Sequence, residues 1–286
     1  MKSFFLSVLC LTLPVLGSSA PQKAERIVST SLASDEILLQ LLPTQEQRKR
    51  IQAVSSLADN STYADLGDAI AGIPHRAEAK LESILALRPD LVIAASFNKP
   101  EFISILKTSG RQVHVMEGFR SLNDLQRHIR DLGQLVQEKA KADELIAKLW
   151  GTLGKQASRL KDSKKTCKVL IMAPDKSLVG KNTLIHDALQ YVGVENLAAS
   201  VGADGWQRIS EEVLARLEPD WLLVPGEEKE KEKIIKILGE SPSLRRMKAW
   251  KEKRLILMPT NLFSSFSPRI VSAVEMVLSK AGLTNG

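Results

Sequence analysis

The chain has 286 residues, with 40 Lys and Arg against 33 Asp and Glu for a net charge of +7. That length gives one large or two modest domains with real hydrophobic cores, so no metal or disulfide staple is required. The basic residues are interspersed with acidic ones and form no concentrated stripe, which argues against a nucleic-acid partner and leaves an anionic small ligand open.

Residues 1–19 begin with Lys2, pass through an apolar stretch from Phe4 to Leu16 and end in small residues, the pattern of a secretory leader cut after Ser19. No other segment approaches the ~20 consecutive apolar residues of a membrane-spanning helix, so an exported, soluble chain is expected. Cys10 lies inside the leader, preceded by Leu9 where lipoprotein processing takes a small side chain. Cys167 is then the only thiol of the exported chain, and no internal disulfide can form.

From Arg26 onward, short apolar runs alternate with amphipathic stretches, as in βα units on a parallel sheet. "RIVST" (26–30) predicts a strand and "SDEILLQLL" (34–42) a helix, with Ser34 as N-cap and Asp35 and Glu36 in its first turn. A strand at "IQAVS", a helix at "AKLESILALR", a strand at "DLVIAA", a helix at "PEFISILKTSG" closed by Gly110 and a strand at "QVHVM" complete the first half. Residues 121–161 contain no proline and carry leucines and isoleucines at helical spacing, with Gly133 as the expected division or bend. The part after Gln137 is long enough to act as a strut of roughly 35 Å. Beyond the charged break "KDSKKT" the alternation restarts and runs to the helix "SPRIVSAVEMVLSKAG". The expected division is residues 1–19 leader, 20–136 N-terminal lobe, 137–163 linking helix and 164–286 C-terminal lobe. The fold class is α/β: two Rossmann-like lobes with central parallel sheets joined by a single long α-helix.

One stretch occurs twice. "LESILALRPDLVIA" (81–94) returns as "EEVLARLEPDWLLV" (211–224), with Glu82, Pro89 and Asp90 matching Glu212, Pro219 and Asp220. Packing explains the leucines and prolines: a helix lays its apolar face on a sheet and proline ends it. Glu82 and Glu212 need either a helix-dipole role or a function that uses both lobes.

In these stretches, in "RIVSTSLASDEILLQL", in the strut, in "GKNTLIHDALQYVGVENLA" and in the ending "LILMPTNLFSSFSPRIVSAVEMVLSKAG", the chain resembles the substrate-binding proteins of bacterial ABC importers for ferric siderophores, haem and cobalamin. The resemblance covers essentially the whole exported chain. It implies a monomeric periplasmic receptor, with no cofactor of its own, whose ligand contains iron or cobalt. Its partners would be that metal chelate and the ABC permease dimer in the inner membrane. In that family one Glu on each lobe meets arginines of the two permease subunits, and Glu82 and Glu212 fall at those positions; a two-fold permease asks for two copies of one motif.

Ligands of two-lobed binders sit between the lobes against loops at the carboxyl ends of strands. The chain has thirteen aromatic residues, and several gather with basic ones in such loops: His75, Arg76, Phe97, Phe119, Arg120, Trp206, Arg208, Phe263 and Phe266. The aromatic rings suit a chelate or macrocycle face and the arginines suit its carboxylates. Haem-binding relatives place an iron-ligating Tyr, sometimes His, ahead of the "L-E-x-I-L-A-L" helix, which makes His75 the candidate ligand of a haem-binding alternative. His114, His128 and His186 read as structural or solvated.

Other functions find less support. "GKNT" (180–183) lacks the earlier glycine of a phosphate-binding loop, with Asp175 in its place, and has Asn182 where Ser or Thr is needed. No paired-His or Cys-x-x-Cys spacing marks a zinc or manganese site. A two-lobed chelatase-like or reductase-like enzyme is the competing class on fold alone, but no nucleophile and base motif accompanies it.

Overall fold

The parallel sheets that the alternation predicts are present in both halves of the chain. A computed structural model describes residues 23–78 and 80–283; the expected leader and Cys10 lie outside the described residues. In the N-terminal half, β1 (Ile27–Ser29), β2 (Ile51–Ser55), β3 (His75–Ala77), β4 (Leu91–Ala95) and β5 (Gln112–Met116) form a sheet in the order β3-β2-β1-β4-β5, every pair parallel. In the C-terminal half, β6 (Cys167–Ile171), β8 (Val194–Asn196), β10 (Trp221–Pro225) and β11 (Leu255–Met258) form a second parallel sheet in the order β11-β10-β6-β8. The four central positions correspond: β2-β1-β4-β5 in one lobe, β8-β6-β10-β11 in the other. β1, β4, β6 and β10 are apolar and buried along nearly their whole length, as strands covered on both faces must be.

The lobes differ at one edge. His75–Ala77 and β9 (Trp206–Gln207) stand at matching distances ahead of the repeated motif, yet β3 joins its sheet while β9 pairs antiparallel with β7 (Leu178–Val179), Trp206 opposite Val179. The crossing is tight at Gly180, where a Cβ atom would stand 1.9 Å from the Ala203 carbonyl oxygen. The glycine of "GKNT" therefore serves this crossing and no phosphate.

The repeated "PD" has a structural task as well. Asp90 accepts from the Arg26 N–H at 3.0 Å while its own N–H donates to Arg26 O at 3.0 Å, and Asp220 and Lys168 repeat the exchange at 2.8 Å each way. In each lobe the aspartate at the mouth of one strand thus satisfies an N–H near the start of its neighbour.

Helix Leu122–Leu135 and the linking helix Lys139–Ser163 are separate. The break falls at Gln137, which takes a left-handed φ of 57°, and Gly133 is no hinge. Gly133 is there because the two helices cross against it: a Cβ would lie 2.3 Å from the Ala142 methyl. The linking helix has 25 residues, about 37 Å at 1.5 Å per residue. It buries Ala142, Leu149, Leu153, Gln156 and Leu160 along one face and ends at Lys164 with φ 55°.

The first helix begins earlier than the sequence suggests. It spans Leu32–Leu41 and its N-cap is Ser31, not Ser34. Ser31 Oγ accepts from Ser34 N at 3.3 Å, and Ser34 is drawn inside as its hydroxyl bonds Ser29 Oγ and Ser31 O. With that earlier start only Asp35 remains in the first turn, and both Asp35 and Glu36 are buried, so they act in tertiary contacts more than on the helix dipole.

Candidate ligand-binding site

The loops after the parallel strands of both lobes converge on one cleft, which has two compartments sharing a wall at Ser264, Ser265 and Phe266. The first, of about 360 Å³, is bounded by Thr30, Ser31, Glu36, Ser55, Ser56, Leu57, Tyr63, Phe97 and Asn98. The second, of about 410 Å³, is bounded by Phe119, Arg120, Asn182, Thr183, Trp206 and Phe263. A wider depression of about 690 Å³ over Lys181, His186 and Glu195 has no aromatic lining and is an open groove on the flank of the C-terminal lobe.

Five of the nine residues proposed from sequence as ligand contacts bring their rings together at this cleft. Phe119 lies 5.2 Å from both Phe97 and Phe266 between ring centroids, and Phe97 lies 6.3 Å from Phe266. Trp206 meets Phe263 edge to face at 5.7 Å. Phe97 and Trp206 remain 57 % and 56 % exposed in a chain that buries most of its large apolar groups, so their faces are available to an apolar partner. Arg120 is at the same cleft, and its exposed guanidinium has no acidic partner among the described residues.

Three of the nine do not line the cleft. His75 and Arg76 are in strand β3, not in a free loop, because Ala53 and Val54 of β2 pair with them. Arg76 turns to Asp59, with bonds of 2.6 and 2.9 Å, which hold the Asp59 carboxyl below its usual range. Arg208 is exposed and paired with Asp175 at 3.1 Å. No cluster of three or more His, Cys, Asp and Glu able to hold a metal exists among the described residues.

The sequence reading also missed residues. Leu57 and Tyr63, 47 % and 44 % exposed, come from the loop after β2, which the rule of strand carboxyl ends includes. Glu36 reaches the cleft from the first helix, where only its burial distinguishes it from a solvated carboxylate. His128 supports the site from beneath: its ring stacks 4.8 Å from Phe119, and Nε2 lies 2.6 Å from Gly118 O. Burial lowers its pKa and favours the neutral ring. Behind the first compartment Asp35 accepts from Ser55 N at 3.0 Å, and burial pushes its carboxyl up to about 7. Cys167 is buried, with its thiol raised to about 11 by burial, and takes no part.

Glu82 is exposed on helix Leu81–Ala86, with no side-chain partner among the described residues. Glu212 is exposed on helix Glu211–Leu214 and ion-paired to Arg216 one turn on. Its neighbour Glu211, also exposed, accepts from the Ser241 hydroxyl at 2.8 Å and from Ser243 N at 3.3 Å.

Two parallel-sheet lobes, one 25-residue linking helix and an aromatic cleft lined by loops of both lobes form the architecture of a two-lobed solute-binding protein. The chain belongs to the periplasmic binding protein family, whose profile matches residues 27–262. Membership gives it an extracytoplasmic place and a task of binding rather than catalysis. Similar solved structures include a possible iron-binding periplasmic solute-binding protein from Staphylococcus epidermidis, at 22 % identity and TM-score 0.77, covering 91 % of this chain and 99 % of its own. The periplasmic heme-binding protein RhuT from Roseiflexus sp. RS-1 aligns at 23 % identity and TM-score 0.75, with 91 % and 99 % covered. The periplasmic vitamin B12 binding protein BtuF of Vibrio cholerae aligns at 18 % identity and TM-score 0.70, with 91 % and 97 % covered. These likenesses establish the fold. Among curated proteins none matches the sequence closely enough to count as a relative.

Proposed function

We propose that this chain is the receptor of an ABC importer, capturing a metal chelate of ferric siderophore or cobalamin type between its lobes and delivering it to a permease dimer in the inner membrane. The observation that carries this reading is the cleft itself: Phe97, Phe119, Trp206, Phe263 and Phe266 offer ring faces to a large apolar or conjugated surface, with Arg120 as a free cation for an acidic group. The iron-binding, heme-binding and vitamin B12 binding titles of the similar structures support the same class of cargo. The metal would arrive with the ligand, and the protein needs no cofactor of its own.

A haem cargo is the second reading, and Tyr63 favours it over His75 as the group to meet the iron. Tyr63 lies at the cleft, in the loop ahead of helix Leu81–Ala86, whereas His75 is held in an edge strand away from it. A phenolate is a hard oxygen donor suited to ferric iron.

Docking to the permease rests on Glu82 and Glu212. Charge-assisted bonds from such carboxylates to arginines steer encounter and permit release. In cells that depend on this receptor for uptake, Glu82→Ala with Glu212→Ala is expected to abolish import while the purified variant keeps its ligand affinity. Loss of ligand affinity in the purified variant would assign both residues to the cleft or the fold instead.

A further inference from the structure

Besides the linking helix, polar contacts join the lobes: Asp187 accepts from Leu122 N at 2.8 Å, and Glu36 meets Arg269 at the wall of the cleft. Glu36, on the first helix of the N-terminal lobe, is 5 % exposed and accepts from Arg269 Nη1 at 3.0 Å and from the Ser265 hydroxyl at 3.4 Å. Ser265 Oγ lies 3.0 Å from Ser267 Oγ, which accepts from Arg269 N at 3.2 Å. Carboxylate, two hydroxyls and guanidinium thus close a ring around residues 265–269 of the C-terminal lobe. Arg269 Nη2 also stands 4.0 Å from Asp65, in the loop that carries Tyr63. Directly on this ring is Phe266, packed against Phe97 and Phe119 of the other lobe, and Ser264, Ser265 and Phe266 wall both compartments.

A buried carboxylate whose only ionic partner among the described residues is on the opposite lobe resists opening, because separation would leave the charge uncompensated in low dielectric. Ring contacts lack that directionality, and the Asp187 bond to Leu122 N involves no buried charge pair. We propose that Arg269 is a positioning residue for ligand binding: through Glu36 it fixes the spacing of the lobes in the empty protein and seats Phe266 as a partition between the two compartments. The inference rests on the cleft being the ligand site. A ligand must then fit one side of Phe266 or be shaped to reach around it, so the pair sets selectivity between compact and extended cargo.

The test uses residues 20–286, spin-labelled at Ile105→Cys and Ile235→Cys, exposed positions on opposite lobes, with buried Cys167 left unlabelled. Without ligand, the inter-spin distance distribution is expected to be narrow in the otherwise unaltered protein and broadened in Arg269→Met. If Arg269→Met does not fold, Glu36→Met with Arg269→Met removes both charges together and is expected to fold and to broaden alike. An unchanged distribution in a folded variant overturns the clamp. In the second arm, hemin, cyanocobalamin and a panel of ferric siderophores are titrated without labels. Arg269→Met and Phe266→Ala are each expected to change the dissociation constant of the compound that binds by about tenfold, and the combined variant no more than Phe266→Ala alone. Additive shifts, or none, overturn the seating of Phe266. Should the unaltered protein bind none of these compounds, the ligand reading fails by itself, and the distance measurement still decides the clamp.

Discussion

Asp35→Asn separates burial from ionisation in a single experiment. Asp35 is fully buried behind the first compartment, its carboxylate bonded to Ser55 N at the end of β2, and burial raises its pKa from 3.8 to about 7. The folded state therefore holds a proton that the unfolded chain releases between those values. By linkage, the stability this gives is fully present below pH 3.8 and is lost as pH rises through about 7. At 1.36 kcal/mol per pH unit, the loss between pH 5 and pH 8 is roughly 2–3 kcal/mol. Asn keeps an acceptor for Ser55 N and does not titrate. His114, His128 and His186, whose pKa values burial lowers, titrate in the same window with the opposite sign, but they are common to both proteins and cancel in the difference. Urea unfolding of both proteins at pH 5 and pH 8 is expected to show the native protein losing 2–3 kcal/mol relative to the variant as pH rises. A difference that stays constant across this range would mean that Asp35 is ionised in the fold throughout, and that hydrogen bonding outweighs burial at this site.

Three further outcomes follow from named contacts. Gly133→Ala is expected to cost roughly 1–3 kcal/mol by forcing apart the helices that cross there, although alanine outranks glycine in helix propensity by about 1 kcal/mol; denaturant unfolding measures it, and adding Ala142→Gly should restore most of the loss. Trp206→Ala is expected to weaken ligand binding by about 1–3 kcal/mol in calorimetry, and an unchanged affinity would remove the ring from the contact surface. Arg120→Ala is expected to weaken binding of an anionic probe such as hemin and to flatten the salt dependence of its affinity; an identical salt slope would show that Arg120 carries no ligand charge.

The sequence discloses the two sheets, the linking helix and the repeat because each is written in local periodicity: apolar runs for strands covered on both faces, and leucines at helical spacing for the strut. The cleft is legible in part, since loops at strand carboxyl ends can be counted, and the phenylalanines and Trp206 lie in them. The remainder is decided by contacts distant in sequence. His75 and Arg76 leave the candidate site because β2 recruits them as an edge strand and Asp59 captures the arginine. Glu36 enters it because Arg269, far along the chain, neutralises it. Ser31 replaces Ser34 as helix cap because the Ser34 hydroxyl is engaged with Ser29 and Ser31 O.

The central claim is that the aromatic cleft holds a metal chelate. Its most direct test is a titration of purified residues 20–286 with hemin, cyanocobalamin and a panel of ferric siderophores, following tryptophan quenching and the visible spectrum of each compound. The account predicts saturable binding of one of these classes, lost or weakened in Trp206→Ala. A flat response to all of them would contradict the chelate reading and leave a periplasmic binding fold built for a different solute.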